Sequence, residues 1–196
     1  MRYPLIALSL LAGSQIAHAE TDPLVSIGLH FAPISNAEAE PSPKADGYGF
    51  GLRTQVGGPL HIHAEYTRGF HDEGGNDVDI TDTRLGMGYR HRLANGYIQA
   101  SAEYAGIKLE NGGSNTEQGL GVHIGAGLNV ADNVVAYGRV GILTLDDVDG
   151  PEMRLGVSGK LGEGATVFGE YRSLKVGDSG ADLSLSDLRL GISFSF

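Results

Sequence analysis

The sequence predicts an all-β fold: a closed antiparallel up-and-down transmembrane β-barrel of about ten strands, with eight as the alternative. Three observations point there. Two strand types alternate along the chain with a period of roughly 35–40 residues, the length of a hairpin unit. Within the strands, apolar residues alternate with glycine or polar ones at period two. Short turns rich in Gly, Pro, Asn or Asp alternate with longer polar connections.

Composition bounds the rest. The 196 residues include 31 Gly, 7 Pro and no Cys, with a formal charge of −10. That length suits one domain. Without Cys there is no disulfide, no Cys-based metal site or nucleophile, and no lipid-anchor cysteine. The acidic balance excludes nucleic acid as a partner, because phosphate binding needs a basic face.

In chain order, residues 1–19 read as a signal peptide. Arg2 supplies the positive start, Leu5 to Ala12 the apolar stretch, and Ala17-His18-Ala19 the small-x-small cleavage pattern. The apolar stretch is well short of the ~20 residues of a spanning helix. Residues 20–196 then form the barrel domain. A lone first strand runs near Leu24 to Ala32. One strand type follows at YGFGLRTQV from Tyr48, TRLGMGYRH from Thr83, LGVHIGAGL from Leu120, MRLGVSGKL from Met153 and LRLGISFSF from Leu188. The second type is LHIHAEY from Leu60, YIQASAEY from Tyr97, VVAYGRV from Val134 and ATVFGEY from Ala165.

Short connections fall at 57–59, 91–96, 130–133 and 162–164; long ones are expected at Pro33 to Gly47, His71 to Asp79, Glu110 to Glu117, Asp146 to Pro151 and Gly177 to Leu183. Leu85, Met87 and Tyr89 share one strand face, as do Leu120, Val122 and Ile124. The opposite faces carry Arg84, Gly86 and Gly88, and Gly121, His123 and Gly125. A soluble barrel would put the aliphatic face inside. Glycine alternating with long charged residues instead suits a narrow interior. Tyr48, Tyr66, Tyr89, Tyr104, Tyr171 and Phe196 sit toward strand ends on the apolar face, as interfacial aromatic girdles do. Strands of roughly 9–11 residues match a tilted crossing.

With its export signal, alternating connections and C-terminal strand LRLGISFSF, the chain resembles the small outer-membrane β-barrel proteins of Gram-negative bacteria, the broad OmpA/OmpX/Opa-like group. The resemblance is architectural and covers the mature chain. It implies the cell outer membrane as location, with outer-membrane lipids and lipopolysaccharide as partners. It also implies that Phe196 serves as an assembly signal for the barrel assembly machinery. The best-known members have eight strands, and no peptidoglycan-binding domain is visible here. No site residues carry over.

Glu65, Arg84, Glu103, Arg139, Arg154, Glu170 and Arg189 all point to the polar side and form a lumen charge belt. Arg84 is expected to neighbour Glu103, Arg154 to oppose Glu170, and Glu65 to lie level with Arg139. Paired charges would brace the interior; a selectivity ring around a narrow pore is the rival reading. Bracing is preferred because a barrel of this size has little open space.

No catalytic, cofactor-binding or metal residues are assigned. An omptin-like surface hydrolase would draw on His71, Asp72 and Glu73, while no convincing Ser–His pairing stands out. His61 and His63, with His123 nearby, fall short of a convergent ligand set. The acidic clusters Asp72 to Asp82 and Asp146 to Glu152 lack EF-hand spacing and read as solvated loop charge. The expected function is a structural, envelope or surface-interaction role without catalysis, any extracellular ligand docking through the loops. A narrow porin-like channel for small solutes is the alternative.

Overall fold

In a computed structural model, described for residues 25–39, 45–73, 76–110, 113–146, 148–178 and 181–196, ten strands close an antiparallel barrel. The signal peptide lies outside the described residues. The strands are β1 Val25–Ala39, β2 Ala45–Gly57, β3 Leu60–Glu73, β4 Asn76–Leu93 and β5 Gly96–Glu110, then β6 Ser114–Ala131, β7 Val134–Leu145, β8 Asp149–Gly162, β9 Ala165–Asp178 and β10 Ala181–Ser195. Each pairs with its sequence neighbours, and β1 pairs with β10 from Ser26↔Ser195 to Ala39↔Leu183. Closure leaves no edge to aggregate. The amide of Phe196 donates to the Val25 carbonyl at 2.9 Å, which ties the two ends together at the turn end of the barrel.

The strands run to 12–18 residues, longer than a membrane crossing requires. Most of the polar stretches expected as long loops are in fact strand. Glu73 pairs with Asn76, Glu110 with Ser114 and Asp178 with Ala181, so three of the hairpins close tightly. Polarity misled the sequence reading: an antiparallel ladder satisfies its backbone internally and need not stop where the side chains turn hydrophilic. In β1 the register shifts between Phe31 and Ile34, around Pro33. Proline cannot donate to the ladder, and a bulge is where a strand accommodates it.

The outer surface carries a band of large exposed apolar side chains. On β6 it runs from Leu120 through Val122, Ile124 and Leu128 to Val130, each at least 58% exposed. Ten steps of ~3.3 Å at a tilt near 45° span about 23 Å of height, close to the ~25 Å apolar band of membrane barrels. An exposed apolar surface encircling the molecule has no place in water. Tyr48, Phe50, Phe70 and Phe31 cluster on one side, with Tyr48 and Phe70 ring centroids 5.6 Å apart.

Beyond this band, toward the loop end, the pattern inverts. Val78, Ile80, Ala105, Ile107, Leu143, Leu145, Leu174, Val176 and Leu185 point inward and form one buried cluster. Their neighbours along the strands, such as Asp77, Thr144 and Lys175, are exposed. The apolar-out rule of the sequence reading therefore holds for the turn-end part of each strand and reverses at the loop end. A wall standing in water must hide its apolar face, and only the lumen is available.

Candidate functional site

The lumen has three levels. The apolar cluster fills the loop end, a charge network crosses the middle, and a cavity opens below it toward the turn end.

The network is built on one local motif that closes as a bonded pair on three strands. On β4, β8 and β10 an acid and an arginine stand two residues apart: Asp82 and Arg84, Glu152 and Arg154, Asp187 and Arg189. Period two puts both on the luminal face. Arg84 grips Asp82 with Nε at 2.5 Å and Nη2 at 3.0 Å. Arg154 Nε donates to Glu152 at 2.7 Å and Arg189 Nε to Asp187 at 2.5 Å. Each motif is a pre-organised pair before any neighbour is added.

These pairs then join across the bore. Arg84 Nη1 donates to Glu103 at 2.7 Å and to Glu152 at 3.0 Å. Arg154 Nη1 reaches Glu65 at 2.8 Å, and Arg189 Nη1 reaches the other Glu65 oxygen at 2.5 Å. Arg172 is held by Asp187 at 2.9 Å and also donates to Asp82. Arg53 bridges Glu65 at 2.9 Å and Glu170 at 2.8 Å. Glu65 of β3 thus accepts from β2, β8 and β10. The network spans the lumen instead of lining it.

Six guanidiniums (Arg53, Arg84, Arg139, Arg154, Arg172, Arg189) meet six carboxylates (Glu65, Asp82, Glu103, Glu152, Glu170, Asp187). Isolated buried ions cost several kcal/mol each, and matched charge with multiple hydrogen bonds is what makes such burial tolerable.

All seven residues of the anticipated belt point into the lumen, and six of them are buried, Arg139 being part-exposed. Arg84 bonds Glu103 as its spacing suggests, and Arg154 lies 3.6 Å from Glu170. Glu65 and Arg139 are separate: Arg139 faces Glu103 at 3.6 Å and Glu152 at 3.7 Å. β4, β8 and β10 each carry both signs on their luminal face.

Asp82 and Glu152, read from the sequence as loop charge, are among the most buried acids of the network, at 2% and 1% exposed. The recurring acid-x-Arg motif was the available signal for them. Arg53 and Arg172 carried weaker signals, since each finds its partners on other strands.

Histidines complete the network. His63 Nε2 lies 3.1 Å from Glu103, and His123 Nε2 lies 3.3 Å from Glu152. Glu103, His123 and Glu152 offer atoms within 4.8 Å of one another, a candidate metal triad. Arg84 Nη1 already bonds both carboxylates, so the positive charge a metal would bring is in place.

Of the rim residues, His71 and Asp72 part; the Glu73 side chain lies outside those described. His71 is buried inside, 3.0 Å from the Ser35 hydroxyl, whereas Asp72 points outward and is exposed. Ser35 with His71 is a Ser–His pairing that the sequence did not reveal. It is a packed internal contact, with His71 Nδ1 buried and lacking a hydrogen-bond partner among the described residues, so no carboxylate orients the ring. His30 and Thr67 form a similar contact at 3.2 Å.

The cavity under the network measures about 670 Å³. Luminal glycines there seat aromatic rings from adjacent strands. A Cβ on Gly127 would meet the Tyr97 ring at 2.4 Å, and one on Gly156 would meet Tyr137 at 2.5 Å. Small and large side chains share the bore, as the alternating luminal face required.

The comparisons agree with this architecture. Residues 4–160 match the family model described as the outer membrane protein beta-barrel domain. No curated protein sequence matches the chain. The crystal structure of Neisserial surface protein A is similar, with a TM-score of 0.54 at 13% identity over 88% of this chain and 97% of that one. An outer membrane channel from Pseudomonas putida F1 is similar at a TM-score of 0.55 and 9% identity, over 94% of this chain and 100% of that one. Such identities speak for fold alone. With its inside-out middle, closed ten-strand sheet and matching family model, the chain belongs to the outer membrane protein β-barrel family and resides in the outer membrane.

Proposed function

We propose that this protein is a closed, non-conducting barrel with no catalytic activity, serving the envelope by its presence in the membrane and by the walls it raises above the surface. One observation carries the reading: hydrogen bonds between strands far apart in the barrel cross the lumen at mid-height. Arg154 to Glu65 and Arg172 to Asp82 are two of them. The buried apolar cluster lies directly above. An ion entering from below would meet a charge-matched, extensively hydrogen-bonded plug and then a hydrocarbon-like one, both costly to cross.

In the orientation usual for such barrels, the short turns and both described ends face the periplasm and the strand extensions face outward. Outer-membrane lipids and lipopolysaccharide contact the apolar band, and an extracellular ligand would meet the hairpin walls, since the connections themselves are short. Phe196 would serve as the signal for the assembly machinery, a reading supported by its 77% exposure at the turn end.

Conductance tests the reading. Purified full-length protein in a planar lipid bilayer is expected to give no discrete current steps. Steps of uniform size would instead support the narrow-channel alternative.

A further inference from the structure

We propose that His71 makes the loop-end core acid-responsive: when its ring takes up a proton from the extracellular solution, the apolar cluster around it loosens. His30, His61, His63, His71 and His123 all point into the lumen. Of these, only His71 lies beyond the apolar band and pairs across the sheet with a member of the apolar cluster, Val78. A void of about 10 Å³ lined by His71 is also lined by Ile80 and Leu185 of that cluster and by Asp82, Arg172 and Asp187 of the charge network. The histidine stands at the seam between the two.

Its surroundings suit a neutral ring. His71 is buried, and its Nε2 meets the uncharged Ser35 hydroxyl of β1 at 3.0 Å. The ring lies over Gly69, where a Cβ would meet it at 2.8 Å. Each carboxylate that faces it is already paired or stands in water. Asp82 of β4 is held by Arg84 and Arg172, and Asp187 of β10 by Arg172 and Arg189. Asp79 of β4 is bonded to Arg68, and Asp46 of β2 is exposed. Arg172 of β9, on the same void, is a like charge to an imidazolium. Burial pushes the His71 ring below its ordinary value and outweighs the Val78 backbone and the Asp187, Asp79 and Asp46 carboxylates, which act the other way.

Opening the core exposes the ring to water, where it takes a proton near its ordinary value of about 6.5. In the closed core it takes that proton only at lower pH. The closed state therefore keeps its full stability above about pH 6.5 and loses it as the pH falls further, by up to about tenfold in the open-to-closed ratio per pH unit for one proton. Mild acid outside the cell would thus loosen the loop end while the membrane band stays in place.

Hydrogen–deuterium exchange of the full-length protein in detergent micelles tests this, with rates normalised for the pH dependence of unfolded amides. Between about pH 7.5 and about pH 5.5, normalised exchange around Ala37, Val78 and Ile80 should rise about tenfold. Exchange around Val122 and Ile124, inside the apolar band, should stay level. His71→Gln keeps a partner for Ser35 without a titrating ring and should abolish the rise. Unchanged exchange at the loop end of the native chain overturns the proposal, as does an equal rise in folded His71→Gln. His71→Phe, which keeps a ring over Gly69, decides the matter if His71→Gln fails to fold. Current steps at neutral pH would overturn the closed-barrel reading and leave this one standing, because exchange is read independently of conductance.

Discussion

The same ten strands build two regions that solve opposite burial problems. In the membrane, Leu120, Val122 and Ile124 of β6 face outward while Gly121 and His123 face the lumen. Toward the loop end, Leu143 and Leu145 of β7 and Leu174 and Val176 of β9 face inward, with Thr144 and Lys175 outside. Nothing in the backbone changes at the boundary. What changes is the solvent, and the side chains follow it. The charge network lies where the two regimes meet, with Asp82 and Asp187 directly below Ile80 and Leu185 along their strands. It stands between a lumen that is apolar above and polar below.

The largest effect should come from breaking that boundary. Arg84→Ala leaves Asp82, Glu103 and Glu152 without a shared partner and is expected to cost about 3–5 kcal/mol. Urea unfolding of the micelle-bound protein, read by gel mobility before and after boiling, would measure it. Near-native stability would mean the crossing bonds carry little energy.

Leu143→Ala probes the extracellular core. The side chain is fully buried, and its loss should cost about 2–5 kcal/mol in the same assay. An effect below about 1 kcal/mol would show that the upper lumen is loosely packed and would weaken the idea of a soluble-type core.

Outward positions give the sharpest contrast. Ile124→Arg, near the middle of the apolar band, should destabilise by about 2–4 kcal/mol in lipid bilayers. Thr144→Arg, at the upper margin of the neighbouring strand, should fall within about 0–1 kcal/mol. Equal costs at both sites would erase the distinction between the regions.

Much of this was legible beforehand. Strand count, closure and outward-facing apolar residues followed from period-two alternation in segments such as TRLGMGYRH and LRLGISFSF. The luminal placement of Arg84, Glu103, Arg154, Glu170 and Arg189 followed from the same parity. The inversion was harder to see. Asp79, Thr81 and Asp82 are all polar, so the run looks like loop, although Ile80 and Asp82 share a face that is buried. Asp82 belongs with Arg84 two residues on, and reading the acid-x-Arg motif on β4, β8 and β10 together would have exposed the network. Ser35 with His71, and Arg172 with Asp82, join residues with no sequence relation.

The sequence by itself determined the alternation, the hairpin order and the family of folds, because those depend on local periodicity and turn chemistry. Only the tertiary structure decided which charges meet across the bore and that their bonds cross it. Those contacts depend on how closing the sheet brings opposite walls within a side chain's reach, a distance no stretch of sequence records.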